Sequence, residues 1–276
     1  MLTDVFVPLF SYPEETPAET LPHLAKLLEA FASSVTYCGI EIDVPDLADR
    51  WGAQLAAIPQ MAAEVERKSR EGAARLLGSA TSIAAGFDAH TTTLRAPFMS
   101  SGIAVARQAR NHDITAAAVR AGSADGRAIS EHILFGSGRP LLLAPMEATL
   151  PTSLNRMAIA WDGGSTAYRG VYDAMPLLVR AESVVVLTAP GDKEITSAST
   201  DALVRYLQRH GIEPRLAEAD PSKKGVAHDL QTAALSQQAD VLVMGGYGHS
   251  RLREFILGGA TSGVLNQTIM PVFMSR

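Results

Sequence analysis

The chain has 276 residues and sets 24 Lys+Arg against 29 Asp+Glu, a formal charge of −5, so it lacks the excess of positive charge by which nucleic-acid binders hold phosphates. With 47% apolar and 19% charged residues it can bury a large core, enough for one large domain or two modest ones, and general disorder is excluded. The single cysteine, Cys38, has no disulfide partner within the chain and no zinc or redox spacing, which fits a reducing compartment.

The opening stretch MLTDVFVPLFSYPEE carries Asp4 early, has no basic region and is broken by Pro8 and Pro13, so it does not read as a signal peptide. Its apolar part, Asp4 to Phe10, is the first of five expected strands in the first half. The others are Ser34 to Ile42, His90 to Ala96, Asp113 to Val119 and Pro140 to Pro145. Helical spacing fills the gaps at Ala18 to Ala32, Pro59 to Ser82, Ser101 to Asn111 and Ala128 to Phe135. The second half repeats the order with strands at Met157 to Trp161, Ser183 to Thr188, Pro214 to Ala219, Asp240 to Gly245 and Pro271 to Met274. Its helices fall at Tyr168 to Ala181, Ser197 to Gly211, Gly225 to Gln238 and Ala260 to Thr268. The apolar runs are strand-sized, well short of the ~18–20 residues of a membrane helix, and a cytoplasmic protein with no membrane association is expected.

Strands alternating with helices predict an α/β protein with parallel sheets. Local sequence supports a duplication: Ser34-Val35-Thr36-Tyr37-Cys38 parallels Ser183-Val184-Val185-Val186-Leu187, His112-Asp113-Ile114 parallels Ala239-Asp240-Val241, and both final strands open on proline, Pro140 and Pro271. The joint is expected between Glu147 and Asn155, giving domains 1–148 and 154–276.

The stretch most informative about chemistry runs from Gly245 to Thr261, between an apolar strand and a helix. Gly245 and Gly248 would let a phosphate approach the backbone, Gly258, Gly259 and Ala260 sit at the expected helix start, and Thr261 adds a hydroxyl. No GxxxxGK[ST] occurs, and Gly246-Tyr247-Gly248 is followed three residues later by Arg251, so GxGxxG fails as well. Other candidates are weaker. Asp43, Asp46 and Asp49 are interrupted by Pro45 and read as a solvated turn. The seven histidines have no paired spacing, and Ser137 lacks a GxSxG elbow. Arg251 could meet phosphate charge, while Arg253 reads as a surface ion pair with Glu254.

Gly245, Gly248 and Gly258 reproduce the Gly, two residues, Gly, nine residues, Gly spacing of nucleotide-binding universal stress proteins, and the sequence resembles that family. It departs where Gly259 stands for the family's Ser or Thr. Ala160-Trp161-Asp162 resembles the family's first strand ending in an aspartate near the adenine, and Thr188 falls where the family's backbone touches the base. The resemblance implies two tandem domains packed as an internal pseudo-dimer, each with an open five-stranded parallel sheet of order 3-2-1-4-5. It further implies a stress-response role with ATP or another adenine nucleotide as a regulatory ligand of the second half, at Asp162, Thr188, Gly245, Gly248, Gly258, Gly259, Ala260 and Thr261. Magnesium would accompany the nucleotide and no protein-only metal site is expected. No catalytic residue is implied, and at most weak ATP hydrolysis. Protein partners and any further homodimer are left open. The first half has Leu9 at the position of Asp162 and only a short turn, Arg120 to Arg127, in place of the glycine loop. A rival match at Gly126 and Gly136-Ser137 would leave no final helix. Two alternatives stand beside this reading: a scaffold that binds no nucleotide, and a nucleotide hydrolase or adenylyl-transfer enzyme using Asp162 or His249.

Overall fold

The computed structural model describes residues 3–44, 57–190, 197–247 and 259–276. Among the described residues ten strands form one sheet. Those of the first half are β1 (Asp4–Phe10), β2 (Ser34–Asp43), β3 (Asp88–Pro97), β4 (Ile114–Val119) and β5 (Leu141–Pro145). Those of the second are β6 (Arg156–Ala160), β7 (Ser183–Thr188), β8 (Arg215–Glu218), β9 (Val241–Gly245) and β10 (Val272–Ser275). Among the described residues eight α-helices connect them: α1 (Leu21–Leu28), α2 (Ala57–Thr81), α3 (Ser101–Ala109), α4 (Ala124–Gly136), α5 (Ser165–Leu178), α6 (Ser197–Arg209), α7 (Val226–Ser236) and α8 (Ala260–Asn266).

The strand order is β3-β2-β1-β4-β5-β10-β9-β6-β7-β8. Each half is thus the expected 3-2-1-4-5 arrangement, parallel throughout, and the halves join where β5 and β10 pair antiparallel. The register there is Leu143 with Val272, Leu142 with Phe273 and Leu141 with Met274. Since Pro140 and Pro271 are equivalent, Leu142 faces its own repeat counterpart, and the pair marks a pseudo-two-fold axis with an isologous contact.

The repeat extends to single hydrogen bonds. Asp113 Oδ2 accepts the N–H groups of Thr3 and Asp4 at 3.0 and 3.1 Å, and Asp240 Oδ2 accepts the N–H of Arg156 at 2.8 Å. The backbone N–H groups of the same two aspartates donate to the carbonyls of Asp4 and Arg156. Each aspartate therefore stitches its half's fourth strand to the start of the first. Asp4 and Arg156 are equivalent, which puts Leu9 opposite Trp161 and Phe10 opposite Asp162. The sequence expectation of Leu9 opposite Asp162 is off by one residue, and Phe10, like Leu9, is not acidic.

Apolar side chains alternate across the strands and feed a core on each face of the sheet. Leu24 and Leu28 of α1, Leu76 of α2, Val171 of α5 and Leu203 of α6 pack on one face with Val5, Tyr37, Ile159 and Phe273. Val105 of α3, Ile133 of α4, Leu230 of α7 and Val264 of α8 pack on the other with Phe6, Leu143, Leu242 and Met274. Helix α4 begins at Ala124, four residues before its expected start, because the Ser123 hydroxyl caps it by accepting the Gly126 N–H at 2.8 Å. The turn after β4 is accordingly shorter than the expected Arg120 to Arg127. Gly126 and Gly136, the rival match, both lie within α4. No helix among the described residues is long and apolar enough to cross a membrane.

Candidate functional site

In an open doubly wound sheet the ligand crevice opens at the carboxyl ends of the two strands where the order reverses. In the second half those strands are β6 and β9, paired through Met157, Ala158 and Ile159 with Val241, Leu242 and Val243. Their carboxyl ends lead into Asp162 and Gly245. The Trp161 N–H donates to the Leu187 carbonyl at 2.8 Å, so Thr188, at the end of β7, comes alongside. Three of the sequence-derived residues thereby converge on one end of the sheet.

The turn from β6 into α5 is built on two glycines. The Asp162 Oδ1 accepts the Gly164 N–H at 2.7 Å, an Asx turn. Gly163 has φ of +72° and would carry a Cβ 2.8 Å from the Ser199 hydroxyl, so a side chain there would strain the backbone and displace that hydroxyl. Thr188 is half-buried and its carbonyl accepts the Ala219 N–H at 2.8 Å.

Gly245 has an explanation in packing. A Cβ on it would lie 2.4 Å from the Thr166 carbonyl carbon and 2.5 Å from the Ala167 nitrogen, and a Cβ on Gly170 would lie 2.9 Å from the Met244 carbonyl oxygen. The first turns of α5 thus lie directly on the end of β9, a contact made by Gly170 and Gly245 together. Position 245 is occupied by Ala118 in the first half. There Phe10 is followed by the long connection Ser11–Thr20 before α1, so no α-helix starts directly after β1.

Beyond Gly245 the chain turns toward the other half. The Gly246 N–H donates to the Ser275 carbonyl at 2.7 Å. Tyr247 has φ of +51°, its N–H donates to Thr261 Oγ1 at 3.0 Å, and its phenol donates to Glu131 Oε1 at 2.6 Å. Burial, reinforced by the Glu131 carboxylate, pushes the Tyr247 phenol above its ordinary pKa, so it remains a donor across the physiological range. Thr261 is buried at 3% exposure, in the first turn of α8, and Gly259 and Ala260 form the N-cap and first residue of that helix. Accepting the Tyr247 N–H uses a lone pair of the Thr261 hydroxyl and not its proton, which is the part a phosphate oxygen would take. Gly248, Gly258, His249, Arg251 and Arg253 lie outside the described residues, as do Asp46 and Asp49.

The equivalent crevice of the first half is a small cleft lined by Phe10, Tyr12, Glu14, Ala118, Arg120 and Asp125, among others. Glu14, Glu15 and Asp125 place carboxylates there beside Arg120, which is itself 3.6 Å from Glu147. Among the described residues no group of three or more His, Cys, Asp or Glu is placed to hold a metal ion.

No protein-family model matches the chain, and no curated protein sequence does. Solved structures do. A universal stress protein from Archaeoglobus fulgidus DSM 4304 superposes with a TM-score of 0.69 at 16% identity, over 99% of this chain and 96% of that one. The fold is that of universal stress proteins, in tandem. A putative universal stress protein from Pseudomonas aeruginosa UCBPP-PA14 matches with a TM-score of 0.53 at 15% identity, over 99% and 93% of the two chains. The universal stress protein fold fixes where the crevices lie. The partners of Tyr247 and the Gly170–Gly245 contact were barely legible in the sequence, because both depend on which elements meet in the fold. The one local hint was an aromatic residue set between glycines, Gly246-Tyr247-Gly248.

Proposed function

We propose that the chain is a universal stress protein that acts in a stress response by binding an adenine nucleotide, ATP foremost, in its second half. On this reading the working units are 1–148 and 154–276, and the ligand is regulatory rather than turned over. The observation that carries it is the convergence of Asp162, Thr188 and Gly245 at the carboxyl ends of β6, β7 and β9, where the strand order reverses. Asp162 would accept a hydrogen bond from the base or a ribose hydroxyl. Gly245, Gly248, Gly258, Gly259 and Ala260 would present backbone to the phosphates, with Thr261 donating its hydroxyl proton. Magnesium would enter with the phosphates.

A second reading, a scaffold that binds no nucleotide and acts through protein partners, draws on the Gly170–Gly245 contact, which accounts for one glycine of the motif without a ligand. Equilibrium binding separates the two. Full-length wild type, Asp162→Ala and Gly248→Val are titrated with ATP, AMP and a non-adenine nucleotide, with folding checked by circular dichroism. Adenine-selective binding that both substitutions weaken in folded protein supports the nucleotide site. Absence of binding at millimolar ligand retires it in favour of the scaffold.

A further inference from the structure

We infer that Tyr247 is a latch between the halves, through which helix α4 of the first half holds the end of β9 against the start of α8 in the second. Tyr247 is 8% exposed and its side chain lies against α4 rather than over its own half. Its phenol donates to Glu131 Oε1 at 2.6 Å and its ring packs on Phe135 with centroids 4.9 Å apart. Glu131 is itself held by Arg127, whose Nε donates to the same oxygen at 3.1 Å. Phe135 is covered by the guanidinium of Arg276 at 4.1 Å. Next to Tyr247, Gly246 is so close to Leu134 that a Cβ would fall 2.6 Å from Leu134 Cδ2.

These contacts bear on the backbone. A tyrosine at φ of +51° is in a conformation that L residues rarely adopt, and such a residue persists when its surroundings over-determine it. Here the side chain is fixed by α4 while the N–H is fixed by the Thr261 hydroxyl, so one residue ties the end of β9 to the start of α8. The pseudo-two-fold axis supplies the mirror contact: the Gly122 N–H, in the β4–α4 turn, donates at 2.7 Å to the carbonyl of Asn266 at the end of α8. Each half's last helix therefore braces the other half's turn after the fourth strand. In the second half that turn is the glycine junction, so Tyr247 and Glu131 are positioning residues for the site proposed above. The affinity readout below rests on that proposal, and the exchange readout does not.

The test uses the full chain as wild type, Tyr247→Phe, Glu131→Ala and Glu131→Gln. Native-state hydrogen exchange is read at the amides of Gly246, Tyr247 and Thr261, with Val243 in β9 as the reference, alongside ATP titration. Loss of a hydrogen bond to a charged acceptor predicts on the order of tenfold faster exchange at Gly246 and Tyr247 in Tyr247→Phe and Glu131→Ala, with Val243 unchanged. ATP affinity should fall several-fold in the same two variants. Glu131→Gln keeps an acceptor oxygen without the charge and should fall between wild type and Glu131→Ala in both readouts. Unchanged exchange at Gly246 and Tyr247 in Tyr247→Phe and Glu131→Ala overturns the latch. So does acceleration spread evenly to Val243, which would mark a general loss of stability. If the wild type binds no ATP, the nucleotide proposal fails and the exchange pattern alone decides the latch.

Discussion

Gly245 invites two explanations, approach of a phosphate and approach of a helix, and Gly245→Ala tells them apart. An alanine Cβ would sit 2.4 to 2.6 Å from three backbone atoms of Thr166 and Ala167. Ordinary carbon contacts need ~3.5–4.0 Å, so α5 would have to retreat by on the order of 1 Å or β9 bend away. Neither can yield as a flexible side chain would, because Ala167, Val171 and Ala174 of α5 are packed in the core beneath. Overpacking of this kind costs about 1–3 kcal/mol, and an all-backbone clash belongs at the upper end. Against it stands only the ~0.4–1 kcal/mol gained from restricting the unfolded chain. We therefore expect Gly245→Ala to lose about 2 kcal/mol in urea unfolding followed by circular dichroism, with no nucleotide present. Gly246→Ala is the internal comparison, since its new Cβ meets the end of the Leu134 side chain, which can rotate, and it should lose about half as much. Gly78→Ala, exposed in α2 with nothing within 4 Å of the new Cβ, should gain about 0.5–1 kcal/mol. A Gly245→Ala protein as stable as wild type would refute the packing explanation and leave the glycine to the ligand.

Asp240→Ala should cost about 2–3 kcal/mol in the same assay, because the aspartate is 7% exposed and its loss strands the Arg156 N–H. Asp113→Asn carries a pH signature. Burial works to raise the Asp113 pKa, but the N–H donors of Thr3 and Asp4 outweigh it and hold the carboxyl below its ordinary value. A depressed folded pKa stabilises above the unfolded value, so the wild-type advantage should be full at neutral pH and fade as the pH drops below about 4, read from unfolding midpoints. The Cys38 thiol, buried in β2 and pushed up to about 12 by desolvation, should resist thiol reagents at pH 8 in native protein and react at once in denaturant. Ser69→Ala should cost about 1–3 kcal/mol by unfolding, since the buried hydroxyl accepts the Ile42 N–H at 2.9 Å and shares a bond with Ser11.

Element order and the duplication were legible because buried parallel strands must be short apolar runs and their crossovers must show helical period, whereas the strand order came from the family resemblance alone. Strand ends agreed within a residue or two for the same reason: Asp4 to Phe10 and Ser183 to Thr188 stand in the fold with the ends read from sequence. Helix starts were less legible. At α4 the hydrophobic pattern begins at Ala128, yet the helix begins where Ser123 can cap it, and a capping bond of one hydroxyl outweighs the glycine that follows. The pairing of β5 with β10 was invisible, since neither strand's pattern says whether its outer edge meets solvent or a copy of itself.

That edge pairing also explains why the two halves could diverge unequally. Antiparallel pairing about Leu142 and Phe273 points the strand ends of the two halves in opposite directions. The C-terminal turns of α4 therefore arrive at the second half's glycine junction and the end of α8 at the first half's turn. The first half has Phe10 at the position of Asp162 and Ala118 at that of Gly245, two residues of the site proposed above, while its sheet and α4 are retained. Glu131, Leu134 and Phe135 do not line the first-half cleft; they face the other half. On the proposed reading the first half contributes the face of α4 that holds Tyr247, and substitutions there should disturb the Gly246–Tyr247 corner of the second half before they disturb the first half's stability.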